Sequence, residues 1–165
     1  RIEMGTLDPE YVPLRVRTVL EDILDELATN IQKKDMRMHI ELAEDDKVTT
    51  DRMMFRIVLH NLLTNAIKYT PREGDVYVSL ESEAHACTIT VRDTGGGIPA
   101  REQDQIFRKM FRASNARKIS AQGTGLGLYL TKAFIEKLGG TISFVSAEGA
   151  GTTFTIHIPR VAPGA

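Results

Sequence analysis

The sequence predicts one domain in which helices and strands are interleaved. Its 165 residues suit a single domain with a real core. Apolar residues recur at helical spacing in three stretches, at Leu20, Ile23, Leu24, Leu27 and Ile31, from Val58 to Ile67, and from Leu128 to Leu138. Strand-like alternation with a period of two separates and follows them, at residues 36–42, 76–80, 87–91, 141–146 and 152–158.

Composition narrows the function classes. An apolar fraction of 42% and a charged fraction of 26% are ordinary for a globular protein. A formal charge of −1 offers no basic footprint for nucleic acid and no polybasic patch for a membrane. No apolar run approaches the roughly 18 residues needed to span a bilayer. The single Cys87 excludes an internal disulfide and a cysteine-based zinc site, which points to a reducing compartment. It alternates with Ile89 and Val91, so it reads as a buried core thiol.

Taken in order, residues 1–5 lack a start methionine and read as the cut end of something longer. Gly5 stops a preceding helix, and Asp8-Pro9 marks a turn. Pro13 sits where a helix can begin, and the helical period then runs to about Lys33. A strand over 36–42, a turn at Glu44-Asp45-Asp46 and a short strand over 48–50 follow. Asp51 is the expected N-cap of a helix reaching Tyr69, which Thr70-Pro71-Arg72-Glu73-Gly74 ends. The strands at 76–80 and 87–91 form an antiparallel hairpin. A short polar helix is expected around 101–105. Phe107 and Phe111 stand one helical turn apart. Residues 113–122 show no period and read as a mobile, mildly basic loop. Gly139-Gly140 stops the last helix. Glu148-Gly149-Ala150-Gly151 is a tight turn between two strands, and Phe154, Ile156 and Ile158 share one face of the second.

Three clusters carry chemistry. Asn61, Asn65 and Lys68 fall at i, i+4 and i+7, in one polar row on an otherwise apolar helix. Asparagine is a poor helix former, so two in one row cost stability. Its amide oxygen is a hard ligand suited to Mg²⁺, and the lysine can meet phosphate charge. Taken alone, the row fits a solvated stripe equally well. The glycine clusters decide for a site. Asp93 ends a strand beside Gly95-Gly96-Gly97, where the backbone gains positive-φ freedom or a ligand approaches closely. Gly123-Thr124-Gly125-Leu126-Gly127-Leu128 runs straight into a helix, and free N–H groups at a helix N-terminus form a phosphate cradle. Its Gly-x-Gly-x-Gly spacing after a loop does not fit a dinucleotide fold.

These elements, in this order, resemble the catalytic ATP-binding domain of sensor histidine kinases, whose fold is shared with DNA gyrase, the Hsp90 chaperones and the MutL repair proteins. The resemblance covers residues 11–159. Residues 61–70 are similar to the asparagine box, 93–98 to the first glycine box, 107–111 to the phenylalanine box, 123–128 to the second glycine box and 149–154 to the last. It implies a two-layer α/β sandwich: a mixed sheet of about five strands, covered on one face by three helices, with a flexible ATP lid. It divides the chain into a remnant of a helical dimerisation and phosphoacceptor domain (1–8), the ATP-binding domain (9–160) and a tail (161–165).

The resemblance also implies roles. Asn65 is the expected Mg²⁺ ligand, with Asn61 holding the metal or its waters. Lys68 contacts phosphate, Arg112 reaches the γ-phosphate, and Tyr69 lies against adenine. Asp93 accepts from the adenine amine. Guanine presents an acceptor there, so ATP is expected over GTP by roughly 1–3 kcal/mol. Gly95 and Gly97 let the base approach, while Gly123, Gly125 and Gly127 cradle phosphates. Ile98, Thr124, Leu126, Leu128 and Thr153 complete the nucleotide set, with Phe107 as a packing anchor for the lid. The implied activity is transfer of the γ-phosphoryl of ATP to a histidine on the helical domain, then indirectly to a response regulator. None of His39, His60, His85 and His157 is followed by an acidic residue, so the accepting motif is absent and the chain alone is not expected to autophosphorylate. His60 points about 100° from Asn61 and reads as a partly buried helix histidine. The expected chain is a cytoplasmic monomer whose parent can be membrane-anchored. The rival classes are an ATPase of the wider fold, a serine kinase like those acting on anti-sigma partners, and a degenerate nucleotide-binding scaffold. The ATPases carry a water-activating glutamate where this chain has Asn61, which cannot act as a base.

Overall fold

The computed structural model describes residues 4–120 and 123–164. Parts of the expected remnant (1–3), lid (121 and 122) and tail (165) lie outside the described residues. A 3₁₀ turn at Met4–Thr6 leads into β1 (Tyr11–Arg15), α1 (Val16–Lys33), β2 (Arg37–Leu42) and β3 (Lys47–Asp51). Then come α2 (Arg52–Tyr69), β4 (Asp75–Ser82), β5 (Ala86–Asp93) and a 3₁₀ helix at Ala100–Gln105. The chain closes with α3 (Ser114–Ile119), α4 (Gly127–Lys137), β6 (Thr141–Ser146) and β7 (Thr152–Pro159).

Five strands form the main sheet in the order β2-β4-β5-β7-β6. The β2–β4 pair is parallel and the other three pairs are antiparallel, so the sheet is mixed, as expected. Alternation decides which face is covered. Val76, Val78 and Leu80 on β4, Cys87, Ile89 and Val91 on β5, and Phe154, Ile156 and Ile158 on β7 are all buried on the helix side. The opposite face carries Tyr77, Arg92, Thr90, Thr155 and Ser143. Helix α2 supplies the largest share of the core, burying Met54, Phe55, Val58, Leu59, Leu62, Leu63, Ala66 and Ile67. Asp51 caps it as read from sequence: its Oδ1 accepts from Met54 N at 2.8 Å, while Oδ2 accepts from Glu10 N at 2.8 Å. Buried Asp46 does the same for α1, accepting from Arg17 N at 2.8 Å. No helix among the described residues is long and apolar enough to cross a membrane.

Three expectations are corrected. Pro13 does not begin a helix; it lies within β1, which pairs antiparallel with β3 in a separate two-stranded sheet. An edge strand tolerates proline's missing N–H. Phe107 and Phe111 do not share a helical turn. The segment after Gln105 is irregular, and Met110 adopts a left-handed φ of 63°. The expected loop at 113–122 contains the six-residue helix α3.

Candidate nucleotide site

A cavity opens between the C-terminal half of α2, the N-terminus of α4, the loop after β5 and the short helix α3. Asn65, Lys68, Tyr69, Asp93, Gly97, Ile98, Arg112, Gly123, Thr124, Gly125, Gly127 and Leu128 all line it. Four segments read separately from sequence thus meet around one space.

Asp93 stands at the end of the central strand β5. Its Oδ1 accepts from Gly95 N at 2.9 Å and from Thr152 N at 3.3 Å. Among the described residues both bonds fall on one oxygen, which leaves Oδ2 for a ligand. Burial pushes the Asp93 carboxyl above the usual carboxylate range, although the two backbone N–H groups pull the other way. A buried carboxylate with one oxygen uncommitted can read a donor on a base.

The first glycine loop is held by protein on one side and faces the cavity on the other. Gly149 N donates to Gly96 O at 2.7 Å, and Ile98 N donates to Ser146 Oγ at 2.8 Å. Gln103 Nε2 donates to Ile98 O at 3.0 Å and Ser146 O at 2.9 Å. At Gly97, with φ of 68°, a Cβ would fall 1.9 Å from Ala147 O; at Gly95 it would fall 2.6 Å from Tyr69 O. The space these two glycines clear is therefore taken by protein backbone. Gly96 lines the cavity, and a Cβ built there would have, among the described residues, only Asn115 Nδ2 within 4 Å, at 3.7 Å.

The polar row of α2 divides in two. Asn65 lines the cavity and its side chain makes no hydrogen bond among the described residues, so its amide oxygen suits a hard cation. Lys68 lines it too, with Nζ 5.4 Å from the centroid of the Tyr69 ring. Asn61 is not on the wall. Its Nδ2 donates to Gly127 O at 3.1 Å and Thr131 Oγ1 at 3.4 Å, tying α2 to the first turn of α4. His60 lies away from the cavity, 3.8 Å from Glu26. At the start of α4 the N-cap residue Leu126 makes no side-chain cap among the described residues, and Gly123, Thr124, Gly125, Gly127 and Leu128 line the cavity. Gly125, at φ of 69°, packs against Met110, whose N–H donates to Gly125 O at 2.9 Å.

Helix α3 lies across the opening. Asn115 Nδ2 donates to Gly97 O at 2.5 Å, and Ser114 N donates to Glu102 Oε2 at 2.9 Å. Ala113, Asn115, Ala116 and Ile119 line the cavity from this side, none of them singled out from sequence. Arg112 is on the wall as well, with Nη2 donating to Ser120 O at 2.5 Å.

Besides Asn61, four sequence-derived members are off the wall. Leu126 makes the turn into α4, and its N–H donates to Thr124 Oγ1 at 3.3 Å. Gly95 packs on Tyr69. Phe107 sits in an aromatic cluster, edge-on to Phe144 at 5.8 Å and Phe154 at 6.4 Å. Thr153 pairs with Arg92 and Val145 on the helix-free face, and its neighbour Thr152 lines the cavity instead. Strand parity carries the signal for Thr152: Phe154, Ile156 and Ile158 set the inward face of β7, and Thr152 shares it.

Comparison with known proteins places the chain in a known family. Residues 50–162 match the family described as histidine kinase-, DNA gyrase B- and HSP90-like ATPase. The chain belongs to that family. It is 33% identical over 165 residues to the signal transduction histidine-protein kinase BarA of Escherichia coli K12, covering 96% of this chain and 18% of that protein. It is 31% identical to the sensor protein kinase PmrB of Pseudomonas aeruginosa, covering 100% of this chain and 34% of that protein. The chain thus spans about a fifth to a third of these curated relatives. Among solved structures, the nucleotide-free catalytic domain of histidine kinase ThkA superposes with a TM-score of 0.80 at 26% identity, covering 92% of this chain and 99% of that one. Within its family, then, the chain is an ATP-binding catalytic domain of the sensor histidine kinase kind.

Proposed function

We propose that this domain binds Mg·ATP and donates the γ-phosphoryl to a histidine on a helical domain of its parent protein, which then passes it to a response regulator. The observation that carries the reading is the convergence of Asn65, Lys68, Asp93 and the glycine-flanked start of α4 on one cavity. Asp93 Oδ2 selects adenine by accepting from its amine. Lys68 and the N-terminal N–H groups of α4 meet the phosphates, and Arg112 neutralises charge at the γ-phosphate. Asn65 would hold the metal, since a neutral oxygen donor suits Mg²⁺. The bound ion supplies charge neutralisation on the phosphates. Asn61 acts by fixing α4 against α2. Positioning and electrostatics are most of what phosphoryl transfer asks of a protein.

This domain, acting in the cytoplasm as part of a larger kinase, is a nucleotide-loading unit without its own acceptor. Calorimetric titration with a non-hydrolysable ATP analogue, with and without Mg²⁺ and with the GTP analogue alongside, tests this. Micromolar, Mg²⁺-dependent binding that prefers adenine is expected. Absence of binding refutes the site, and radiolabel retained on purified chain from γ-labelled ATP refutes the missing acceptor.

A further inference from the structure

The three protons of one ammonium are committed at the end of the helix that carries Asn65, Lys68 and Tyr69. Lys34, just past the end of α1, donates through Nζ to Ile67 O at 2.8 Å, Lys68 O at 2.9 Å and Thr70 O at 2.8 Å. The last carbonyls of a helix have no intrahelical partner and carry the negative end of its dipole. Here Thr70 N closes onto Ala66 O at 3.2 Å, and Lys34 takes the carbonyls on either side of Tyr69. The remaining one, Tyr69 O, abuts Gly95, where even a Cβ would sit 2.6 Å away. The last turn of α2 is thus fixed from two directions: by an ammonium outside the cavity and by the glycine loop bordering it.

The grip extends to the flanking turns. Glu73 N donates to Lys34 O at 2.8 Å, and Arg37 N donates to Gly74 O at 3.0 Å. Arg72 Nη1 donates to Lys33 O at 2.5 Å and Nη2 pairs with Asp35 at 2.5 Å. Asp35 holds a left-handed φ of 50° in the turn between α1 and β2. Burial draws the Lys34 pKa down, so taking this ammonium out of water is opposed by desolvation and compensated by its three fixed acceptors.

We propose that Lys34, which is not on the cavity wall, is a positioning residue for nucleotide binding: it sets the last turn of α2 so that Lys68 and Tyr69 face the ligand. The inference rests on the cavity being the nucleotide site. Lysine suits the position because three carbonyls converge on a single nitrogen, which a planar guanidinium cannot reproduce.

The test uses the full chain and a non-hydrolysable ATP analogue with Mg²⁺. Affinity and thermal midpoint are measured for wild type, Lys34→Met, Lys34→Gln and a core control, Ile23→Val. Lys34→Met is expected to weaken binding by about tenfold or more, at a temperature where it is folded. Lys34→Gln, which retains two donors, is expected between them, and it carries the test if Lys34→Met does not fold. Ile23→Val is expected to lose stability without losing affinity, which separates positioning from a general loss of fold. Wild-type affinity in a folded Lys34 variant overturns the proposal alone. A wild-type chain that binds no nucleotide overturns the site reading, and the proposal with it.

Discussion

Asp93 shows how a single side chain can be unfavourable for folding and still fit its task. Its carboxyl titrates higher in the folded chain than in the unfolded one because it is buried. Between the ordinary carboxylate value and that raised value, the folded state binds more protons, so stability falls as pH rises through the window. Asp93→Asn removes the charge but keeps the acceptor for Gly95 N and Thr152 N. Its thermal midpoint at neutral pH is expected to equal or exceed that of wild type. The same change places an NH₂ where Oδ2 stood, opposite the adenine amine. Affinity for the ATP analogue is expected to fall by about 1–3 kcal/mol and discrimination against GTP to shrink, both read by titration calorimetry. Asp93 was legible from sequence because a carboxylate at a strand end beside three glycines contributes nothing to packing and is well placed to meet a ligand. Lys34 was not, since its three acceptors are backbone carbonyls, and a carbonyl leaves no mark on residue identity.

The glycine loop after β5 separates two reasons for glycine within three adjacent residues. Gly97→Ala must place a methyl carbon against Ala147 O and hold a left-handed φ; it is expected to cost at least about 2 kcal/mol in urea unfolding. Gly96→Ala meets only an ordinary contact with Asn115 and is expected to stay within about 0.5 kcal/mol of wild type while altering nucleotide affinity. Equal stability losses at the two positions would contradict the packing described. Long, strongly periodic elements were readable: α1, α2, α4 and the inward faces of β4, β5 and β7 follow from spacing alone. The β1–β3 sheet was not, because Pro13 signals a helix start locally and only pairing with Thr49, contributed by a distant strand, makes it part of an edge. Nor was α3, whose six residues are too few to display a period. The segment from Phe107 to Phe111 misled for a different reason. Its spacing of four mimics a helix, but the backbone there is irregular, with Met110 at positive φ, and Phe107 sits in the aromatic cluster while Phe111 lines the cavity.

At the scale of the whole molecule, stability is linked to ligand and to pH. A nucleotide analogue present at about 100 times its dissociation constant adds about 2.7 kcal/mol, an expected rise of several degrees in thermal midpoint that Asp93→Asn should blunt. On the acid side, Asp75 is held well below the usual carboxylate range by its hydrogen bonds to Arg37 and then His39, and Asp45 is lowered by Arg160. Groups depressed in this way contribute stability above their unfolded values and lose it as pH falls below about 4. Asp75→Asn is expected to flatten that acid limb in a midpoint-versus-pH series. The strand order has a consequence in time as well as in space. β5 is completed by β7, and Asp93 is held by the amide of Thr152, 59 residues further along. The ribosome therefore releases Asn65, Lys68 and Asp93 long before the strand that completes their surroundings. A chain stopped short of β7 would carry nearly every nucleotide-facing side chain without the strand that holds Asp93, so competence is expected to wait for β7.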